Sequence, residues 1–333
     1  MFKFLGAIFE NHFMQASMAL AGFGSLISDA YFGNIGFVIS LVLAIGLLLW
    51  AFVDEYQHYK VFNNEILPIP VVISIDDVTP LPIIFSSIVS KIEDDTAFKD
   101  LEKYLEKYFH IHKDMLMFKY NGSMYDTGQL LSFFNVIRYQ LNHVEKRLNN
   151  KVQFHVAYLR RPALAIAMGG MFRTDGIVVY QNNDHKDCFD KVATIDSRQY
   201  KEKVDSFKKF DVTYNIKEEE DDTYLIFIQI SSHLVTKDHP EFDHFKNIIT
   251  ITSKGNGTIG QDEDWVRYSQ EIYTVINQLN VGRKSITLVH SMPEAVGIIL
   301  GMALENYWHI TITQFDQSDY KNVITLNSIK YLS

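Results

Sequence analysis

The fold is decided by residues 285–316, SITLVHSMPEAVGIILGMALENYWHITITQFD. Two runs rich in β-branched residues, 286–289 and 310–315, flank an apolar segment that begins at Pro293. Proline fits the first turn of a helix, because its missing N–H would have no partner there. The stretch therefore predicts strand, helix and strand, which is the repeating unit of a parallel α/β sheet.

The same arrangement occurs once more, about 131 residues upstream. Residues 152–156 lead through Pro162 and seven residues to Gly170, as residues 285–289 lead through Pro293 and seven residues to Gly301. This internal repeat predicts an α/β fold with two related Rossmann-like halves. Further strand-like runs cover residues 71–75, 177–180, 225–230 and 248–251, and helical periodicity covers residues 100–109, 130–148 and 265–279.

The loops that follow the repeated strands are the candidate site, because ligands of open α/β sheets bind at the carboxyl ends of the strands. His290 and Ser291 lie on one such loop, although Ser291 and Glu294 also match a helix capping box that would be purely structural. Arg160 and Arg161 lie on the other loop, beside a predicted helix N-terminus. Two cations there indicate either phosphate contact or pairing with surface carboxylates.

The N-terminal segment differs in composition from these halves. Residues 35–53 contain no charged side chain, and nineteen helical residues span about 30 Å, the thickness of a hydrocarbon core. Residues 13–27 are also apolar, so residues 1–60 are predicted to form a two-helix transmembrane hairpin, with a cleaved signal peptide as the alternative. Lys3 and Lys60 flank the hairpin, which places both termini in the cytoplasm by the positive-inside rule.

Small residues recur every four positions in both predicted spans, which permits close approach of helices. The stripes indicate either a tight hairpin or a surface that packs against hairpins of other subunits. They consist of Ser17, Ala21 and Ser25 in the first span and Gly36, Ser40 and Ala44 in the second.

Charge and cysteine content restrict the kinds of molecule that the protein is expected to bind and the compartment in which it is expected to work. The 333 residues include 31 Lys and Arg against 40 Asp and Glu, a formal net charge of −9. This acidic balance argues against binding to duplex nucleic acid. The single cysteine, Cys188, excludes a disulfide scaffold and fits a reducing compartment.

Residues 286–316, followed by Tyr320, resemble the signature of SAVED domains, and residues 162–172, PALAIAMGGMF, resemble its weaker first-half equivalent. The resemblance covers residues 65–333 and implies two fused CARF-like halves, at about 65–215 and 222–333. With its hairpin the chain is similar to two-transmembrane SAVED effectors of antiphage CBASS systems. It would bind a cyclic oligonucleotide, a cyclic di- or trinucleotide, then oligomerise and disrupt the bacterial inner membrane, causing abortive infection.

Charge predicts the roles of the site residues, because Glu294 in the first turn of the predicted helix would repel a phosphate. No cofactor is predicted. The second half would read a base or ribose, and the arginines would meet the phosphates. The predicted ligand-binding residues are Arg160, Arg161, Tyr180, His290, Ser291, Met292, Phe315, Asp316 and Tyr320, with Tyr180 and Tyr320 as stacking partners.

Two other functions stay open. A membrane-anchored nuclease or ring nuclease would use His290 as general base and an arginine as phosphate stabiliser. A membrane scaffold would bind no nucleotide at all. No metal site is predicted, because His110, His112 and the histidines of residues 238–244 lack the spacing of zinc ligands. No motif in the sequence requires the protein to be an enzyme, and we expect that it is not one.

Overall fold

The computed structural model describes residues 14–19, 33–75, 79–149, 151–172, 176–183, 188–218, 221–255, 257–279, 284–316 and 318–329. Residues 14–19 are helical. The other helices are α1 Gly33–Asn64, α2 Leu81–Asp95, α3 Leu101–Phe109, α4 Thr127–Arg147, α5 Pro162–Gly169, α6 Trp265–Gln278 and α7 Glu294–Ala303. The strands are β1 Leu67–Ile75, β2 Met117–Tyr120, β3 Val152–Leu159, β4 Ile177–Asn183, β5 Cys188–Ile195, β6 Phe210–Ile216, β7 Thr223–Gln229, β8 Asn247–Ser253, β9 Ser285–Ser291, β10 His309–Asp316 and β11 Asp319–Thr325.

Two mixed sheets confirm the internal repeat. The first sheet has the order β2-β1-β3-β4-β5, and the second has the order β11-β10-β9-β7-β8-β6. Strand by strand, β1 to β5 correspond to β7 to β11, and in both sheets the final hairpin strand runs antiparallel to its neighbour. β6 is additional, and it pairs with β8 at the edge of the second sheet. Residues 210–216, at the predicted junction of the halves, thus belong to the second sheet.

Helices α5 and α7 join the two halves at a crossing of glycines. A Cβ on Gly169 would lie 2.0 Å from the Ile298 carbonyl oxygen, and one on Gly301 would lie 1.9 Å from the Ile166 carbonyl oxygen. Only residues without a side chain allow the two backbones to approach so closely. The reciprocal contacts relate the halves by 132 residues, so Gly169, and not the predicted Gly170, is the partner of Gly301.

The chain divides into two compact units. One comprises Met1–Leu67 and Val89–Lys113, and the other comprises Pro68–Ile88 and Asp114–Ser333. In the first unit, the buried Glu55 carboxylate on α1 lies 3.4 Å from the Lys107 ammonium on α3. The second unit holds both sheets.

The predicted membrane hairpin is not confirmed. Among the residues that the structure describes, no helix is long and apolar enough to cross a membrane. Helix α1 also continues to Asn64, well beyond the charge-free run 35–53. Of the predicted stripe residues, Ser17 and Ala44 are buried. Ala21 and Ser25 lie outside the described residues, as do the side-chain positions of Gly36 and Ser40.

Candidate functional site

A cavity of about 610 Å³ lies where the carboxyl ends of β7, β9 and β10 meet the first half. Its size is within the range of small-molecule sites. The first half contributes Pro162 and Gln181. The second half contributes the rest of the lining, which is Ser231, His233, Leu234, Val235, Thr236, His290, Ser291, Met292, Pro293, Glu294, Gln314, Phe315 and Tyr320.

Strand order explains the position of the cavity. β7 and β9 are neighbours, with β8 beyond β7 on one side and β10 beyond β9 on the other. The order of the parallel strands thus reverses between β7 and β9, and such a switch point leaves a crevice between the loops that follow the strands. The loops after Gln229 and Ser291 open into this crevice.

His290 lines the cavity with an imidazole whose two ring nitrogens are buried and unsatisfied. Neither ring nitrogen has a hydrogen-bond partner among the described residues. Burial lowers the pKa of His290 to about 4, so the ring is neutral near pH 7. A neutral imidazole offers one donor and one acceptor, and leaving both unpaired in a protein interior is unfavourable. A polar ligand would satisfy them.

The loop after β7 is held in place by two side chains. The Gln229 amide donates to the carbonyl oxygens of Ser231 and His233, and its oxygen accepts from the Val235 amide at 2.7 Å. The Tyr320 hydroxyl accepts from the Thr236 amide at 2.9 Å. The loop therefore forms a preorganised wall of the cavity.

The N-terminus of α7 is capped from the other half of the protein. The Gln181 side-chain oxygen accepts from the Ala295 amide at 3.0 Å, while its nitrogen donates to the Glu294 carboxylate at 3.0 Å. The predicted capping box is wrong, because Ser291 ends β9 and the residue at the cap position is Pro293, which has no side-chain cap. Gln181 also lines a second cavity of about 310 Å³.

The sequence of residues 137–326 matches the family described as SAVED, the "SMODS-associated and fused to various effectors sensor domain". The match covers more than half of the chain and the whole lining of the cavity. The chain belongs to the SAVED family.

Solved structures of SAVED/CARF-domain receptors also match the chain. The Cap4 SAVED/CARF-domain receptor of Acinetobacter baumannii, solved with the cyclic trinucleotide 2'3'3'-cAAA, is 12% identical with a TM-score of 0.49, over 87% of this chain and 58% of that one. The same receptor with 3'3'3'-cAAA gives a TM-score of 0.47 at 12% identity, over 87% and 59% of the two chains. Cap4 of Moraxella osloensis gives 0.43 at 12% identity, over 97% and 76%. No curated protein matches the sequence.

Five of the predicted ligand-binding residues line the SAVED cavity: His290, Ser291, Met292, Phe315 and Tyr320. Phe315 keeps 46% of its surface exposed, whereas Tyr320 is 9% exposed and packs against neighbouring aromatic rings. Phe315 is thus the ring with a face available for stacking, and Tyr320 supports the wall of the cavity.

Asp316 ends β10 next to Phe315. The Asp316 carboxylate lies 3.1 Å from the Lys321 ammonium. Lys321, then Tyr125 and the charge of Arg161, hold the pKa of Asp316 below its usual range. The charge of Arg161, from the first half, thus acts on a carboxylate of the second half.

Arg160 and Arg161 have an unusual backbone. Their φ angles are 65° and 56°, in the left-handed region that β-carbon-bearing residues seldom adopt. Each such residue stores about 1 kcal/mol of strain. Strained positions of this kind are frequent in ligand-binding loops, and the Arg160 side chain is exposed.

Tyr180 does not fit its predicted role as a stacking partner. Its side chain is 1% exposed, and its hydroxyl lies 2.9 Å from Nδ1 of the buried His155. Burial, and next the charge of Lys191, lower the pKa of His155 to about 3. This pair belongs to the interior of the first half and leaves no ring face for a base.

Sequence reasoning missed the loop after β7, including residues 231–236, as well as Gln181 and Gln314. His290 was predicted because ligands bind at the carboxyl ends of parallel strands, and the same rule applies to the strand run at residues 225–230. Only the strand order, however, shows that β7 and β9 are neighbours. Gln181 could not be found in this way, because its partners are more than a hundred residues away in sequence.

Proposed function

We propose that this SAVED protein is a receptor for a cyclic oligonucleotide in antiphage CBASS immunity, and that the ligand occupies the 610 Å³ cavity. The observation that carries the proposal is the unsatisfied imidazole of His290 at the floor of a preorganised crevice. The exposed ring of Phe315 supplies a stacking surface for a base. Arg160, exposed on the opposite half, is the proposed phosphate contact.

Binding without catalysis suits His290 better than hydrolysis. A general base works best with a pKa near the working pH, and the pKa of His290 is lowered to about 4. A buried imidazole of such low basicity is a poor proton acceptor but a good neutral hydrogen-bonding group. We therefore propose recognition and not cleavage at this site.

The experiment is calorimetric titration of the purified full chain with a panel of cyclic di- and trinucleotides that includes 2'3'3'-cAAA and 3'3'3'-cAAA. The Ser291→Trp variant fills the cavity, and because Ser291 caps no helix, the change removes no cap. We expect one nucleotide to bind the wild type and not Ser291→Trp. If no nucleotide binds, or if the variant binds as the wild type does, the proposed function is wrong.

We propose further that residues 1–60 attach the receptor to the bacterial inner membrane, with the SAVED domain in the cytoplasm. The charge-free run 35–53 supports this, as do the exposed apolar side chains of α1, each between 41% and 64% exposed. An exposed apolar patch of this extent marks an interaction surface, and we propose that it contacts lipid. These side chains are Val38, Ile39, Leu41, Val42, Leu43, Ile45, Leu48, Leu49, Trp50, Phe52, Val53 and Tyr56.

Ligand-driven association of such helices would disrupt the membrane, and the variant Gly36→Leu with Ser40→Leu tests this. Both changes raise hydrophobicity, so membrane attachment should persist, while bulk on the small-residue stripe should prevent close helix packing. We expect the variant to sediment with membranes and fail to depolarise cells that produce the activating nucleotide. Depolarisation equal to wild type would contradict the role of the stripe, and wild-type protein in the soluble fraction would contradict attachment.

A further inference from the structure

A second side chain in the cavity, that of Gln314, also has an unsatisfied polar atom. Oε1 of Gln314 is buried and accepts no hydrogen bond from the described residues, while its Nε2 donates to the Phe315 carbonyl oxygen at 3.3 Å. The Gln314 amide thus has one free acceptor and a second N–H still to place.

The two groups occupy matching positions on neighbouring strands. The parallel pairing of β9 and β10 extends to Ile312 opposite Leu288, and Gln314 and His290 each lie two residues beyond that pair. Because side chains alternate with a period of two, Gln314 lies on the face of Ile312 and His290 on the face of Leu288. Both side chains line the cavity.

The chemistry of this pair selects its partner. The Gln314 oxygen requires a donor, and the remaining amide N–H and the neutral imidazole N–H require acceptors next to that donor. Adenine has this pattern, because its exocyclic amino group lies between two acceptor nitrogens, N1 and N7, whereas the amino group of cytosine has an acceptor on one side only. A glutamine amide pairs with the amino group and one of these nitrogens through two hydrogen bonds. A phosphate offers acceptors only and would leave Oε1 unpaired.

We propose that Gln314 and His290 form an adenine-reading subsite within the cavity. The proposal rests on the proposed function, which makes the ligand a cyclic oligonucleotide, and it adds the base and the residues that recognise it. Phe315, exposed at the strand end and also lining the cavity, would stack on a base of the same ligand.

The test compares the full chain's affinity for a cyclic triadenylate with its affinity for the same ring carrying unsubstituted purine, which lacks the 6-amino group. We expect the wild type to bind the adenine ligand at least about tenfold more tightly. Gln314→Met should bind both ligands equally, and His290→Phe should weaken binding of both. The matched controls Gln278→Met and His309→Phe change exposed residues outside the cavity and should behave as wild type.

The outcomes separate the two proposals. If the wild type binds both rings equally, or if Gln314→Met still prefers adenine, the adenine subsite is wrong while the receptor function stands. If the wild type binds only rings without adenine, the base assignment is likewise wrong. If it binds no cyclic oligonucleotide, the receptor function fails and the subsite fails with it. Thermal unfolding of each variant shows whether a loss of binding reflects a loss of fold.

Discussion

Two buried histidines make stability depend on pH. The pKa values of His155 and His290 are lowered to about 3 and about 4, from about 6.5 in an unfolded chain. Below about pH 6.5 the unfolded chain therefore takes up protons that the folded protein does not, and stability falls by about 1.4 kcal/mol per pH unit for each histidine. The stability that the two neutral histidines contribute is fully present above about pH 6.5 and is lost as the pH falls toward 4.

The measurement is the urea midpoint at about pH 7 and about pH 5. We expect a clear loss for the wild type and a smaller loss for His290→Phe, which removes one of the two groups. His309→Phe, at an exposed histidine, should lose as much as the wild type. An equal loss in the wild type and in His290→Phe would show that the buried ring does not resist protonation.

At the scale of elements, the crossing of α5 and α7 sets the geometry of both halves. In Gly301→Ala the new methyl would meet the Ile166 carbonyl oxygen at 1.9 Å, so the helices must separate. We expect a loss of about 2–3 kcal/mol in the free energy of unfolding. Gly128→Ala on α4 is the matched control, because the nearest atom to its methyl is 3.4 Å away. Similar stability of the two variants would contradict the close crossing.

The cap that Gln181 provides couples β4 to α7. Gln181→Met keeps the size of the side chain but leaves the Ala295 amide and the Glu294 carboxylate without this partner. We expect a loss of about 1 kcal/mol in stability and weaker ligand binding, since Gln181 lines the cavity. Denaturant unfolding and titration measure the two effects. Gln278→Met, on the exposed face of α6, should change neither, and an unchanged Gln181→Met would contradict the coupling.

The sequence predicts the buried strands better than the edge strands. The apolar runs that became β1, β3 and β7 are confirmed, because strands buried on both faces read as continuous apolar segments. β11, DYKNVIT, was missed because only one of its first four residues is buried. The same limit applies to the site, where His290 follows from its own strand but Gln314 needs the register of β9 against β10.

At the scale of the whole molecule, we expect the ligand to change the size of the assembly. A ligand shifts an equilibrium only by the difference between its affinities for the two states. If the associated form binds the nucleotide better, the full chain in detergent should pass from small to large species when nucleotide is added. Light scattering with size separation measures this change, and a protein that binds nucleotide without changing mass would contradict ligand-driven assembly.

The central claim is that a cyclic oligonucleotide occupies the cavity at the ends of β7, β9 and β10, and hydrogen exchange of the full chain with and without the nucleotide tests it most directly. We predict slower exchange in the segments 231–236 and 290–294, which border the cavity, and no change in the edge strand β6. Exchange that no cyclic di- or trinucleotide alters, or protection confined to segments outside this lining, would contradict the account.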